Sequence, residues 1–407
     1  MKKTLWTKNF TLVTAASALG AVGGIAGGFA LSFLVFDETG STLASALILA
    51  IQLVPFFVLP LFLAPVMDRL PRKPFLVAGD LIDGVLYALM GLYLLKFEFS
   101  YAAYLGYSLL LACLESFDEL AFQSIYPKLI PEGMEQQGYA VSTTLYPILR
   151  VLMLPLAGVL LDAVGAAWIL IGQGGLSLLA ALIESNIDIT EHRREGGEKL
   201  FTLRQWRADI KEAAEYLKNE RGVTGIFSYM AVTNGVASGY SSILVAFFRT
   251  FPGFTAAMYS LFSVFEFAGR TLGGAVQYKL RLAKEKKFGF TFMVYQIYEL
   301  MDMCLLWLPY PLMLANRALV GFLGANSATM RQAAMQSYIP ENLRARLNAF
   351  QNMLITAASG VFALAIGALG EILDYRLCVS VCGATAFIAA WLLVWRRRAD
   401  VRKIFEK

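Results

Sequence analysis

Long apolar runs separated by short polar connections recur along the whole chain. Residues 9–36 contain no charge at all, and about 20 helical residues are enough to cross a bilayer. The polar–apolar alternation typical of membrane β-barrels is absent. We therefore predict an all-α membrane protein with twelve spans, at approximately 9–36, 43–65, 75–95, 101–126, 139–161, 165–185, 223–248, 254–278, 288–308, 311–336, 347–371 and 377–395.

The composition agrees with this prediction. Hydrophobic residues make up 57% of the 407 residues and charged residues 16%, whereas a soluble chain is about a quarter charged. The first residues, MKKTLWTKNF, have the basic character of a signal peptide. The uncharged run that follows is longer than the roughly 7–15 apolar residues of such a peptide. We interpret it as the first span, with a cleaved signal as the lesser alternative.

Metal and redox chemistry have little support in the sequence. The chain has one histidine, His192, and its four cysteines all fall within apolar runs. Cys378 and Cys382 are four residues apart on a predicted helix, a spacing that is poorly placed for a disulfide. The sequence contains no HExxH, no phosphate-binding loop and no Ser/His/Asp-like set. We expect no enzyme activity and no cofactor, and a proton gradient as the energy source.

The basic residues predict the orientation in the membrane. If the N-terminus is inside, the only outside connections with Lys or Arg are those of Lys96, Arg249 and Arg376. The positive-inside rule then places both termini in the cytoplasm, and we expect a cell-membrane location. The net charge of +5 is an orientation signal and indicates no nucleic-acid partner.

One long charged connection divides the chain. We predict a six-helix bundle over 1–185, a cytoplasmic linker over 186–222, a second bundle over 223–395 and a basic tail over 396–407. The linker is either an amphipathic helix on the inner leaflet or a solvated helix. Its apolar positions share one helical face: Leu200, Leu203, Trp206, Ile210, Ala213 and Leu217.

An internal repeat supports two parallel halves. The segments LIPEGMEQQGYA and YIPENLRARLNA each join a fourth span to a fifth in their half. Further along the same alignment, Gly158 corresponds to Gly367 and Asp162 to Glu371. Repeated halves are typical of transporters.

The connection after the second span carries a dense charge cluster, PVMDRLPRKP. It contains Asp68, Arg69, Arg72 and Lys73. The stretch resembles the signature loop of the major facilitator superfamily, G-x-x-x-D-R-x-G-R-[RK], with Ala64 and Pro71 in place of the glycines. The resemblance implies two six-helix bundles that move about a central site.

The same resemblance implies a role for the loop as a latch between the two halves at the cytoplasmic side. The positive-inside rule alone explains Arg69, Arg72 and Lys73, but it does not explain Asp68. We hypothesise that Asp68 and Arg69 stabilise the outward-facing state.

Charges inside the spans are candidates for function, because they are costly there. Glu115, Asp118 and Glu119 lie at i, i+3 and i+4 of span four, hence on one face. Carboxylates this close favour binding of a proton, and we assign that role first to Glu115. The alternative to a proton-binding role, to which we give equal weight, is that Asp118 and Glu119 form ion pairs with Arg69 or Arg72.

Other candidates are weaker. Arg150, Glu266 and Arg270 are candidates for the substrate cavity. Arg150 would face Glu115 or an anionic substrate, whereas for Glu266 and Arg270, at i and i+4, mutual pairing is favoured over contact with substrate. The family places spans seven and ten at the cavity and span nine outside it. The resulting cavity candidates in spans seven and ten are Tyr229, Asn234 and Asn326.

These patterns favour a secondary transporter for small amphipathic compounds. The signature loop and the acidic fourth span resemble the drug, macrolide and siderophore efflux branch, so we expect proton-coupled export by a monomer in contact with lipid. An importer, a lipid flippase of the same fold and a non-transporting scaffold are the alternatives.

Overall fold

The computed structural model describes residues 4–67, 71–189, 211–279 and 283–406, apart from residue 213. Within these ranges the regular structure is helical and no strand is found, so the all-α prediction is confirmed. Among the described residues, twelve long helices are followed by a short one, and residues 214–219, just before the seventh, are also helical. They are α1 Lys8–Thr39, α2 Thr42–Met67, α3 Lys73–Lys96, α4 Tyr101–Leu129, α5 Glu135–Val164, α6 Ala166–Ser185, α7 Arg221–Thr250, α8 Ala256–Lys279, α9 Lys284–Cys304, α10 Tyr310–Tyr338, α11 Glu341–Gly370, α12 Tyr375–Ala389 and α13 Arg398–Glu406.

Local sequence signals set several helix ends. Thr7 caps α1 by accepting a hydrogen bond from the Phe10 N–H at 3.3 Å, a common role for threonine. Gly40 ends the same helix in the left-handed region with φ of 64°, where glycine has no steric penalty. A 3₁₀ turn, Leu305–Trp307, follows α9, and a π-helical turn, Ala390–Trp395, follows α12.

Seven helices among the described residues are long and apolar enough to cross a membrane by length and composition. Several of the remaining long helices carry charges within the predicted spans. Examples are Glu115 on α4, Glu299 on α9 and Arg317 on α10. These charges lower the hydropathy of their helices, and their cost in a membrane calls for a specific environment.

The chain divides into two compact units. The first comprises Met1–Gly40, Ile51–Phe201 and Gly253–Ser260. In it α1 packs against α4, α5 and α6, and α3 packs against α4 and α6. Polar contacts join the start of α1 to Asp188, which follows α6. Asn9 Nδ2 donates to the Asp188 carbonyl at 2.7 Å, and Lys8 Nζ lies 2.5 Å from Asp188 Oδ2. The Lys8 hydrogen bond lowers the pKa of the exposed Asp188 carboxyl.

The second unit comprises Ser41–Ala50, Thr202–Pro252 and Leu261–Lys407. Here α7 packs against α11 and α12, and α9 packs against α10 and α12. Each of these pairs repeats a pair of the first unit with a shift of six helices: α1–α5, α1–α6, α3–α4 and α3–α6 recur as α7–α11, α7–α12, α9–α10 and α9–α12. The predicted duplication is therefore present in the packing of the helices.

The segment predicted as a basic tail contains a packed helix. In α13, Val401, Ile404 and Phe405 are buried in the same core cluster as Phe227 and Phe288. Their spacing places the three apolar side chains on one helical face. The basic residues of this segment predicted a tail, whereas its apolar face explains the packed helix.

The other sequence predictions outside the spans have mixed outcomes. Leu200, Leu203, Trp206 and Ile210 of the predicted linker helix lie outside the described residues. Leu217 is described and is buried against α7 residues such as Val223. All four cysteines are free thiols, and Cys378 and Cys382 are buried.

Candidate functional site

A cavity of about 650 Å³ lies within the first unit, among α1, α3, α4, α5 and α6. Carboxylates dominate its chemistry, and none of the described residues that line it is Lys, Arg or His. The acidic residues of the lining are Asp80, Asp83, Glu115, Asp118, Glu119 and Glu184.

Helix α4 supplies three of these carboxylates. Glu115, Asp118 and Glu119 all line the cavity, which confirms the face predicted from their spacing. Glu119 accepts a hydrogen bond from Gln123 Nε2. Asp118 packs closely against α3, since a Cβ added at Gly79 would lie 2.7 Å from Asp118 Oδ1. The absence of a side chain at Gly79 therefore leaves the space that the Asp118 carboxylate occupies.

Helix α3 contributes a second acidic face. Asp80, Asp83 and Tyr87 follow one another at i, i+3 and i+7, so that all three point to the cavity. Tyr87 is buried and its ring makes an edge contact with that of Tyr107. The structure thus brings Asp80 and Asp83 to the same cavity as Glu115.

Helix α6 contributes the most deeply buried polar groups. Gln173 is 4% exposed and Glu184 is 3% exposed. Gln173 Nε2 lies 3.4 Å from Ser177 Oγ, whereas Gln173 Oε1 and Glu184 Oε2 have no hydrogen-bond partner among the described residues. Sequence reasoning missed both residues. The signal was their spacing, since Gln173, Ser177 and Glu184 lie at i, i+4 and i+11 on one face.

Comparison with known proteins identifies the fold family. The family model described as Major Facilitator Superfamily matches residues 10–297 and 300–406. The chain belongs to the major facilitator superfamily. It is therefore a multi-pass membrane transporter and not an enzyme, and members of this superfamily bind small-molecule substrates. A search of curated proteins finds no match.

Solved structures agree on the fold of this transporter. A bacterial homolog of the human lysosomal transporter Spinster, inward-facing and unoccupied, is 13% identical with a TM-score of 0.67, covering 97% of this chain and 96% of that one. The peptide transporter POT with alafosfalin is 11% identical with a TM-score of 0.71, covering 100% and 98%. The nucleoside transporter NupG is 11% identical with a TM-score of 0.70, covering 95% and 99%. At these identities the likeness establishes the fold alone.

The predicted latch is described only in part. Asp68 and Arg69 lie outside the described residues, and Arg72 immediately precedes α3. Lys73 Nζ donates to the Ser185 carbonyl at 2.8 Å. A cation at the C-terminal end of α6 suits the partial negative charge of that helix end. This Lys73 contact ties the start of α3 to the end of α6, next to Glu184.

The other predicted site residues lie elsewhere in the transporter. Arg150 on α5 is exposed and does not line the acidic cavity. Glu266 and Arg270 pair with each other as their spacing predicts, with 2.7 Å between Arg270 Nη2 and Glu266 Oε1.

The polar residues predicted for spans seven and ten make local contacts within the second unit. Tyr229 is buried and its hydroxyl donates to Glu299 Oε1 at 3.3 Å. Asn234 donates to the Met230 carbonyl and Asn326 to the Phe322 carbonyl, each at 2.8 Å. Each of these backbone bonds uses one N–H of the amide, and Asn326 is itself buried.

A buried ion pair was not anticipated from the sequence. Arg317 on α10 is only 2% exposed and pairs with Asp302 on α9. Arg317 Nη2 also donates to Asn316 Oδ1 at 2.8 Å, and Nη1 lies 3.4 Å from the Tyr240 hydroxyl. A charge in a span needs a partner, and Asp302 supplies it.

Proposed function

We propose that this transporter couples the movement of a small amphipathic substrate to protons at the acidic cavity of the first unit. The observation that carries the proposal is the convergence of six carboxylates on one cavity whose described lining has no cationic side chain. Unneutralised charges are costly away from water. The charge state of each carboxylate is therefore linked to that of its neighbours. Protons and substrate consequently compete for the same carboxylates.

Within the cavity we assign the proton-coupling role to Glu115, with Asp118 and Glu119 as its partners on α4. Substrate binding and proton binding would favour different conformations, and such differential binding is what shifts a two-state equilibrium. The loop with Asp68, Arg69, Arg72 and Lys73 would bias the same equilibrium as a latch.

The proposed direction is export. It is supported by the likeness of the loop after α2 and of the acidic α4 to those of exporters. We further propose a monomer in the cell membrane with both termini cytoplasmic, in keeping with the distribution of Lys and Arg. An importer of the same fold is the competing hypothesis.

Proteoliposomes with an imposed pH gradient test the coupling. A panel of amphipathic compounds is screened for flux that alters the luminal pH, and Glu115→Gln should abolish the coupled proton movement. Glu98→Gln is the matched control, because Glu98 is an exposed carboxylate of the same unit outside the cavity. Proton-linked flux that survives in Glu115→Gln, Asp118→Asn and Glu119→Gln alike would refute the proposed site. Uptake into everted vesicles identifies export, and uptake into right-side-out vesicles identifies import.

A further inference from the structure

We propose that the acidic cavity binds compounds with a protonated amine attached to an apolar body, and that the ammonium is held between α3, α4 and α6. This inference rests on the proposed function and names the substrate class of the same site.

The first argument is the excess of hydrogen-bond acceptors. Glu184 Oε2, Gln173 Oε1, Asp83 Oδ1 and Asp118 Oδ1 are buried atoms that have no hydrogen-bond partner among the described residues. Buried polar atoms are nearly always paired in folded proteins. Four unpaired acceptors in one cavity therefore call for a ligand that brings donors, and a protonated amine brings up to three with its charge.

Gln173 makes the argument independent of the acidic residues. It is neutral and 4% exposed, and it lines the cavity with a free carbonyl oxygen. A proton neutralises a carboxylate but leaves the lone pairs of an amide carbonyl unused. Gln173 precedes Glu184 by eleven residues on α6, about 16 Å along the helix axis, so a second N–H group of the ligand would satisfy Gln173 while the ammonium lies at the carboxylates.

The rest of the lining suits an organic cation. Tyr87, Phe122 and Tyr146 add aromatic side chains, and Leu76 and Leu145 add aliphatic ones. Aromatic faces attract cations and also cover apolar groups. The volume of about 650 Å³ falls within the range of roughly 300–1,000 Å³ that accommodates drug-sized ligands.

Other ligand classes fit less well. An anionic substrate would meet six carboxylates and no Lys or Arg in the described lining. Among the described residues no group of three or more His, Cys, Asp or Glu is arranged to hold a metal ion. The acidic side chains are spread over the cavity wall, which suits a larger cation with several N–H donors.

Binding measurements on the purified full chain in nanodiscs test the inference with three matched probes. These are 2-(1-naphthyl)ethylammonium, its neutral N-acetyl derivative and the anionic 3-(1-naphthyl)propionate. We expect the ammonium to bind at least about tenfold more tightly than the amide, since a charge-assisted hydrogen bond contributes roughly 1.5–3 kcal/mol, or about tenfold or more in affinity. The propionate should not bind. Ammonium affinity should fall as the pH is lowered into the range in which the crowded carboxylates of the cavity take up protons, because protons then compete with the amine, which stays charged.

Two variants probe the ammonium position. Glu184→Gln should weaken ammonium binding about tenfold and leave amide binding unchanged. In Gly23→Ala, the new Cβ would lie 2.0 Å from Gln173 Oε1, so it displaces the Gln173 amide, the end of a flexible side chain. Because Gln173 lies about 16 Å from Glu184 along α6, this variant should leave binding of the naphthyl ammonium, which has no second N–H group, unchanged. Gly28→Ala and Glu98→Gln are the controls, because a Cβ at Gly28 meets nothing within 4 Å.

The outcomes separate this inference from the proposed function. Equal affinity for the ammonium and the amide, or ammonium binding unaffected by Glu184→Gln, overturns the substrate class even if proton-coupled flux is found. Selective ammonium binding that depends on Glu184 supports it, even if a pH gradient drives no flux and the proposed coupling fails. If Glu184→Gln does not give a monodisperse protein, the probe comparison decides.

Discussion

Two ion pairs in the second unit occupy opposite environments. The side chains of Arg270 and Glu266 on α8 are 50% and 29% exposed, whereas those of Arg317 and Asp302 are 2% and 11% exposed. An exposed pair contributes little because water already solvates both charges. A buried pair is different, since removal of one partner leaves the other charge without compensation.

We expect Asp302→Asn to destabilise the protein by about 3–5 kcal/mol, the usual cost of an orphaned buried charge. Glu266→Gln, its matched control, should cost about 1 kcal/mol or less. The measurement is the free energy of unfolding in one detergent at neutral pH. Equal effects of the two variants would show that Arg317 has another source of neutralisation.

A third variant separates the charge from the shape of the side chain. Asp302→Asn combined with Arg317→Met removes both charges, and much of the lost stability should return, because replacing a buried pair by apolar groups is often neutral. If the double variant is as unstable as Asp302→Asn alone, packing and not charge accounts for the loss.

At the residue scale, helical periodicity predicted which side chains share a face of one helix. Glu115, Asp118 and Glu119 could be placed on a common face because a single helix fixes their directions. Glu184 and Arg317 could not be placed, because their surroundings come from other helices. From the sequence, Glu184 in the last turn of α6 looks like an ordinary polar residue at the end of a span. Its place in the cavity becomes visible only when α3 is known to pack against α6.

At the scale of elements, the repeat of Asp162 and Glu371 has a structural counterpart. Glu371 Oε1 accepts from Ser41 Oγ at 2.7 Å and from the Leu43 N–H at 2.9 Å, at the start of α2. In the first unit Asp162 Oδ2 accepts from the Ala257 N–H at 3.3 Å, at the start of α8. Each carboxylate therefore satisfies a backbone donor of a helix N-terminus, where negative charge is favourable.

The Glu371 contact should depend on pH. Burial acts to raise the pKa of Glu371, but the hydrogen bonds from Leu43, Ser41 and Thr42 outweigh it and leave the pKa below the ordinary value of 4.5. A lowered pKa in the folded state means that the contribution to stability is present above the ordinary value and is lost as the pH falls through the folded-state value.

We therefore expect Glu371→Gln to lower the stability by at most about 1 kcal/mol at neutral pH, because the site is exposed to solvent. The difference from the unmodified protein should shrink once the pH falls below 4.5 and vanish as the pH passes below the lowered pKa of the folded state. Thermal unfolding of both proteins across this pH range gives the answer. A difference that stays constant down to acid pH would mean that the glutamate charge has no role in the cap.

Close packing at the paired glycines gives another element-scale prediction. A Cβ at Gly158 would lie 2.7 Å from the Ala257 Cα, and one at Gly367 would lie 2.5 Å from the Ala46 Cβ. Alanine at either position should cost about 1–3 kcal/mol in the free energy of unfolding, through overpacking. Gly172→Ala, on α6 with nothing within 4 Å of the new Cβ, should be neutral or stabilising. Loss of stability in all three variants would indicate a general need for flexible helices.

Among the properties of the elements, the number and approximate position of the long helices were the easiest to predict from the sequence. Each predicted span overlaps one long helix, because uninterrupted apolar runs leave few other structures possible in a membrane. The helix α13 was missed, since its three apolar residues lie among arginines. Arg402 lies over the ring of Phe288 at 5.5 Å, a tertiary contact that no local pattern records.

At the scale of the whole molecule, short matches between the halves predicted a duplication that recurs in the helix pairs. Duplication was readable because it repeats a pattern within one sequence. The residues that form the cavity were less readable, because five helices have to be packed before their polar faces meet. The boundaries of the predicted bundles and linker stay predictions.

The distribution of Lys and Arg predicts a topology that chemical labelling can check. In a background with the native cysteines replaced by serine, Glu98→Cys should react with a membrane-impermeant maleimide in intact cells. Glu406→Cys should react only after the cells are opened, because both termini are expected inside. Labelling of both positions in intact cells would contradict the predicted orientation.

The packing of α13 also bears on the order of events during synthesis. Val401, Ile404 and Phe405 belong to one cluster with Leu217, Val223 and Phe288. The second unit therefore stays open on that side until the ribosome has passed residue 405 and the helix has left the exit tunnel. The first unit can close earlier, once Asp188 has met Asn9 and Gly253–Ser260 has been made. Nascent chains halted before α13 should consequently carry a finished first unit and a second unit that proteases still recognise as incomplete.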